Sequence, residues 1–350
     1  MNKKLSILTV CTFGVFGSTS AQHQPQLGKS PINEIISAMT IDEKVALLVG
    51  FGDEDTPDSI PSATIGFTKK IIPGAAGITH AIPRLGIPSV VLADGPAGLR
   101  IDPKRPGTDS TFYCTHFPVA TSLASTWNTP LVKSVGNAIG NETLEYGVDI
   151  LLAPATNIMR NPLCGRNFEY YSEDPILAGK LTSAMIQGIQ QNGVGTSIKH
   201  FALNNQETNR TGNNVLVSPY VMHELYLKPF EIAIRESTPW TVMSSYNKVN
   251  GEYASENSLL LDSILRRRWG YKGLVMTDWF GGQDAVKQTV AGNDLLMPGL
   301  KKQRKALKDA VENGKLSTHI LDRNVQRILE LIIKTPRFQQ YDYTNTVDLG

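Results

Sequence analysis

Asp278 closes the apolar run Gly273-Leu-Val-Met-Thr-Asp278 and is followed by Trp279-Phe-Gly-Gly282. A carboxylate at a strand end can act as a nucleophile, and the two glycines leave room for a ligand to approach it. The same residue could instead cap a following helix, so both readings stand at this point. Lys199 and His200 end a second apolar run. Three chemistries suit that pair: donors gripping hydroxyl groups, a Schiff-base lysine, or a lysine paired to a carboxylate beside a backbone-bonded histidine. Asp94 and Arg100 share the turn Asp94-Gly-Pro-Ala-Gly-Leu-Arg100, whose glycines let both side chains converge on one polyol or on each other as an ion pair. Arg166 lies in Cys164-Gly-Arg-Asn-Phe-Glu-Tyr-Tyr-Ser-Glu-Asp174, a stretch dense in donors, carboxylates and aromatics. Trp127, Trp240 and Tyr113 have faces that could stack on a ring, although a single aromatic more often belongs in a core.

Each of these groups stands at the end of an apolar run or in the loop behind one. Runs occupy residues 89–93, 148–153, 196–198, 240–243, 274–276 and 295–297, with weaker ones at 75–78 and 120–124. They do not alternate between apolar and polar, which is the pattern of strands buried on both faces. Helical patterns fill the intervals. One covers 130–146 behind Thr129 as cap, another 175–191 behind Asp174, and a third 220–237 after Ser218-Pro219. Two more end before glycines, 257–269 at Gly270 and 301–313 at Gly314. The first helix, 32–48, is interrupted by the capping box Thr40-Ile-Asp-Glu43, and the last, 317–334, is stopped by Pro336. This alternation predicts an α/β fold, a (β/α)8 TIM-like barrel over residues 32–335, with a doubly wound open sheet as the alternative. No G-x-G-x-x-G follows an early strand, which counts against a dinucleotide-binding sheet. In a barrel all the strand ends meet on one rim, where active sites form. The long loops 95–116, 157–174 and 204–218 would surround that rim.

The chain has 350 residues, 41% hydrophobic and 19% charged, which excludes a disordered or coiled-coil protein. Its formal net charge is +2, and the surplus is Lys3 and Lys4. They open a basic start, an apolar stretch and a small-residue end at Ser18-Thr-Ser-Ala21, the layout of a cleavable signal peptide over 1–21. A periplasmic or secreted protein is therefore expected, without membrane insertion once the signal is removed, because no apolar run is long enough to span. The remaining charges balance, and no basic stripe suggests nucleic acid as a partner. Cys11 falls within the signal. Cys114 and Cys164 remain as a possible disulfide or as two separate thiols. His223-Glu-Leu-Tyr-Leu lacks the second histidine of a zinc helix, and neither a P-loop nor G-x-S-x-G occurs. No metal or other cofactor is expected.

Five stretches together resemble family 3 glycoside hydrolases. They are Asp94-Gly-Pro-Ala-Gly-Leu-Arg100, Asn161-Pro-Leu-Cys-Gly-Arg-Asn-Phe-Glu-Tyr-Tyr-Ser-Glu-Asp-Pro175, Lys199-His-Phe-Ala-Leu-Asn-Asn205, Val242-Met-Ser-Ser-Tyr-Asn247 and Gly273-Leu-Val-Met-Thr-Asp-Trp279. They occur in the family's order, the resemblance covers residues 32–349, and it is greatest to the bacterial β-glucosidase branch. It implies a barrel domain whose Asp278 is the nucleophile of a retaining mechanism on an oligosaccharide or glycoside. It further implies that Asp94, Arg100, Arg166, Lys199, His200 and Tyr246 hold hydroxyls of the nonreducing sugar, with Met243 and Trp279 lining the pocket. Ala202-Leu-Asn-Asn-Gln206 stands where the N-acetylglucosaminidase branch has a His-Gly-His-Gly-Asp loop, so that branch is not indicated. Relatives take their acid/base glutamate from a second α/β domain. Residues 336–350 are thus expected to be a linker towards a domain absent from this chain, leaving Glu169, Asp174 and Glu207 as acid candidates within it. The expectation is an exported retaining β-glycosidase impaired in this form. The alternatives are a non-catalytic sugar-binding barrel and a Schiff-base lyase using Lys199.

Overall fold

The computed structural model describes residues 24–51 and 70–343. The signal segment and residues 344–350 lie outside them. Nine strands occur among the described residues: β1 Gly77–Ile78, β2 Val91–Asp94, β3 Ile150–Leu152, β4 Gly195–Phe201, β5 Asn214–Val215, β6 Thr241–Ser244, β7 Lys248–Val249, β8 Glu252–Tyr253 and β9 Leu274–Thr277. Six form one sheet in the order β1-β2-β3-β4-β6-β9, parallel except for β1 against β2. Every residue of β2, β3, β4, β6 and β9 is buried, which is why these runs show no alternation.

Backbone bonds beyond the strands close this sheet into a ring. Leu295 N donates to Val275 O at 3.2 Å, and Leu296 N to Leu48 O at 2.8 Å. Gly50 N donates to Leu296 O at 2.9 Å, and Phe51 N to Ile78 O at 2.8 Å. Residues 295–296 and 49–51 are thus the seventh and eighth staves of a TIM-like barrel. Two expectations change. Residues 120–124, read as a strand, form the helix Ala120–Ala124; its buried Ala120, Leu123 and Ala124 follow helical spacing. The stave that replaces it, 49–51, directly follows the helix Ile41–Leu48. The barrel also departs from a uniform repeat because β1 runs backwards. Antiparallel neighbours need no crossover helix, and only the turn Pro83–Leu85 lies between β1 and β2.

The helices wrap the outside. Thr40 and Glu43 make the expected capping box, and Asp174 accepts from Ile176 N and Leu177 N to start Pro175–Gln190. That helix packs on Thr129–Glu145, which is capped by Asn128 and not by Thr129. The two approach so closely at Gly188 that a Cβ there would fall 2.1 Å from Lys133 O. The helix expected over 220–237 divides into Pro219–Val221, a wider π turn Met222–Tyr226 and Lys228–Ser237. Pro229 lacks the N–H that would continue the ladder and crowds the carbonyl of the preceding turn. Residues 336–340, the start of the expected extended linker 336–350, are turns docked on the barrel base. There Arg337 NH2 donates to Gly147 O at 2.8 Å, and Arg337 Nε and Tyr343 OH each lie 3.3 Å from the Asp149 carboxylate. Cys114 and Cys164 are free thiols set against different clusters, so the disulfide alternative does not hold. Among the described residues no helix is long and apolar enough to cross a membrane.

Candidate active site

The strand ends converge on a cavity of about 570 Å³, within the range of small-molecule sites. Asp94, Arg100, Arg166, Lys199, His200, Met243, Tyr246, Asp278 and Trp279 all line it. Asp94 ends β2, Lys199 and His200 belong to β4, Met243 lies in β6, and Asp278 directly follows β9. Arg100 returns to this rim because its N–H bonds Asp94 O at 2.9 Å, closing the glycine turn.

Asp278 is 6% exposed. One carboxylate oxygen accepts from Trp279 N at 2.7 Å, and the other lies 3.7 Å from His200 Nε2. The helix that follows, Ala285–Ala291, is capped by Asp284, which accepts from Val286 N and Lys287 N. The capping role once open to Asp278 is therefore taken, and its carboxylate faces the cavity. Burial raises the Asp278 pKa; the nearby charges of Arg166 and Lys199 and the Tyr246 hydroxyl offset this only in part. Tyr246 itself is pushed well up by burial and by the Asp278 charge, so it stays a phenol able to donate. Trp279 is pinned by its indole N–H to Ala76 O at 2.9 Å, and a Cβ at Gly77 would sit 3.2 Å from its ring.

Lys199 Nζ lies 3.1 Å from Asp94 Oδ1 and 3.8 Å from Glu169 Oε2, with Arg100 3.6 Å from the other Asp94 oxygen. Burial opposes ionisation of Asp94, but Lys199, with Arg100 and Arg166, outweighs it and holds the pKa below the usual value. An ammonium committed to two carboxylates is a poor Schiff-base nucleophile. His200 is driven well below its ordinary pKa by burial and then by Arg166 and Lys199, so its approach to Asp278 is not an ion pair. Arg166 NH2 lies 2.6 Å from His200 Nε2. Because arginine only donates, this places the imidazole proton on Nδ1.

The three acid candidates come out differently. Asp174 is consumed as a helix cap. Glu207 accepts from Asn204 Nδ2 at 3.1 Å and Arg210 NH1 at 2.8 Å. Glu169 lines the cavity but is bonded to Arg166 Nε and faces Lys199. Of the three carboxylates on the cavity wall, Asp94 and Glu169 thus form ion pairs with lysine or arginine, and among the described residues Asp278 forms none. Trp127 and Tyr113 are both 76% exposed and lie outside the cavity, while Trp240 packs on the core. Three neighbours, Phe168, Phe280 and Arg210, escaped sequence reasoning, whereas Asn157 opens the polar cluster 157–160 that ends a strand run. Phe168 and Phe280 stand on the cavity wall, and Arg210 covers the Tyr246 ring at 4.6 Å. Asn157 buttresses His200 from behind. The Glu207–Arg210 spacing of three was a visible ion-pair signal; nothing comparable marks the two phenylalanines. Among the described residues no group of three or more His, Cys, Asp or Glu is placed to hold a metal ion.

The profile of the glycosyl hydrolase family 3 N-terminal domain matches residues 82–331. The chain is 42% identical over 307 residues to thermostable beta-glucosidase B of Acetivibrio thermocellus, covering 86% of this chain and 37% of that protein. It is 39% identical over 287 residues to an exo-alpha-(1->6)-L-arabinopyranosidase of Bifidobacterium longum, covering 81% of this chain and 38% of that one. Beta-glucosidase 3B from Thermotoga neapolitana, solved in complex with glucose, is similar in structure with a TM-score of 0.85 at 50% identity, over 91% of this chain and 44% of that one. The chain therefore spans less than half the length of these relatives.

Proposed function

Since this chain belongs to glycosyl hydrolase family 3, we propose that it forms the sugar-binding barrel and supplies the nucleophile of a retaining β-glycosidase acting on terminal nonreducing sugars. The observation that carries the reading is Asp278: a buried, cavity-facing carboxylate without a cation of its own, ringed by Asp94, Arg166, Lys199, His200 and Tyr246. Such a ring can hold hydroxyls while the carboxylate attacks the anomeric carbon, forming a glycosyl–enzyme bond as the aglycone oxygen departs with its electron pair. Arg100, at the mouth, and Met243 and Trp279, on the wall, complete the sugar site. The glucose complex of the Thermotoga relative supports a hexose as occupant.

Departure of a poor leaving group needs an acid, placed about 5–5.5 Å from the nucleophile in retaining enzymes. Asp94, its pKa held down by Lys199, is poorly suited to hold a proton for that purpose, and Glu169 is tied to Arg166 and faces Lys199. We therefore expect this 350-residue chain to cleave aryl glycosides with good leaving groups and to leave an unactivated disaccharide almost untouched. Comparable kcat/KM on both substrates would show that an acid resides within the chain. Glucose binding by calorimetry with no turnover even of the aryl glycoside would favour a sugar-binding barrel without catalysis. The basic, apolar and small-residue order of 1–21 supports export to the periplasm or exterior. N-terminal sequencing of the mature protein should begin near Gln22, and recovery of an intact Met1 end would refute it.

A further inference from the structure

Lys199 and His200 are consecutive in β4, yet both side chains line the cavity. Consecutive residues of a regular strand face opposite sides. The strand register is irregular at the same place. Ile198 pairs with Val242 and Phe201 with Ser244, so three steps along β4 match two along β6. One residue of β4 is extra, which is a bulge. It also shows on the β3 side. Lys199 N donates to Pro154 O at 3.0 Å, and Lys199 O accepts from Thr156 N at 2.8 Å. In an unbroken strand the N–H and C=O of the next residue would turn to the other neighbour. Those of His200 do not: its N–H donates to Asn157 Oδ1 at 2.9 Å, and its carbonyl accepts from Asn157 Nδ2 at 3.0 Å. A side-chain amide thus stands in for a strand peptide beyond the end of β3. Asn157 is 2% exposed and His200 1%, so solvent is not at hand to take over those bonds.

We propose that Asn157 is a positioning residue that holds the bulged His200 peptide and thereby sets the imidazole between Arg166 and Asp278. A carboxamide of this length carries a donor and an acceptor in one plane, as a peptide does. The consequence for rate rests on the glycosidase reading; the consequence for the imidazole does not.

Asn157→Ala, made in the whole chain, should slow labelling by an activated 2-fluoro glycoside roughly 100-fold, the scale of an ångström of misplacement. His200→Ala provides the companion loss. The double variant should lose little more than the worse single variant, because Asn157 acts through His200; multiplied losses overturn the proposal. A second readout needs no reaction. With ¹⁵N-histidine, and His200→Ala for assignment, the His200 resonance should shift in folded Asn157→Ala, and an unmoved resonance overturns the proposal. Should the alanine variant not fold, Asn157→Asp keeps the acceptor for the His200 N–H and loses the donor to its carbonyl. A slowed Asn157→Asp supports the role, and a wild-type labelling rate overturns it. If the unaltered chain takes no label while the His200 resonance still moves, the glycosidase reading fails and the positioning role stands.

Discussion

Asp278→Asn is expected to abolish turnover and, at neutral pH, to raise the melting temperature. The first effect follows from the proposed chemistry, since losing a catalytic nucleophile can slow an enzyme by on the order of 10⁶-fold. The second follows from the site's electrostatics. Burial raises the Asp278 pKa in the fold despite Arg166 and Lys199, so ionising this carboxyl is harder in the folded than in the unfolded chain. A group shifted in that direction subtracts stability once the pH exceeds its unfolded pKa, and the full penalty is present above its folded pKa. An amide carries no such penalty. Calorimetry should therefore show the variant melting higher at pH 7, with the difference closing as the pH falls through the carboxylate range. A variant that melts lower at pH 7 would contradict the account. The same shift fixes the acid limb of the reaction. Labelling by an activated 2-fluoro glycoside should rise with pH through a value above the ordinary carboxylate pKa, and the labelled peptide should contain Asp278. A label on any other residue would remove Asp278 from the role.

Lys199→Met should be the most damaging substitution for the fold among the cavity residues. Its ammonium, on a side chain only 5% exposed, lies between Asp94 and Glu169. Glu169 keeps Arg166 in contact, but Asp94 keeps the exposed Arg100 at 3.6 Å and the more distant charge of Arg166. Breaking one partner out of a buried pair costs about 3–5 kcal/mol, because a desolvated charge is left behind. At about 2–4 °C per kcal/mol for a domain of this class, the melting temperature should fall on the order of 10 °C. The sign of the pH dependence discriminates this cause from simple loss of packing. In the wild type the depressed Asp94 pKa contributes stability above its unfolded value, lost as the pH falls through the folded one. Without Lys199, burial dominates and Asp94 can relieve the strain by taking a proton. The gap in melting temperature should thus be widest at pH 7 and shrink towards about pH 3–4. An equal gap at both pH values would assign the loss to packing.

Much of this arrangement was legible in the sequence, for a physical reason. Strands buried on both faces carry charged residues towards their ends and small neutral ones such as Thr196 and Ser197 inside, so each apolar run pointed to its own functional cluster. Asp94, Lys199 with His200, and Asp278 were found that way. What stayed hidden depends on partners distant in sequence or on very short elements. The stave 49–51 is three residues directly behind a helix, without a run long enough to register. Residues 120–124 had such a run and spent it on a helix. Asp278 and Asp284 were both possible caps, and the choice depended on where the next helix began. Glu169 looked like an acid until Lys199, thirty residues on, proved to lie beside it. The bulge left no mark of its own, because Thr196-Ser197 is another consecutive polar pair in the same buried strand and pairs regularly.

The seam of the barrel bears on how the chain is made. Val49 and Leu296 pair directly, although they lie near opposite ends of the described chain. During synthesis the stave 49–51 emerges early and its partner at 295–296 about 250 residues later, an interval of roughly 10–50 s at ordinary ribosomal rates. Through that time one edge of the growing sheet has nothing to bind, and unpaired edges of this kind invite pairing between nascent chains. Closing the barrel therefore requires its first and last staves to meet. Slowing translation would lengthen the exposure, and holdase chaperones would find their substrate there.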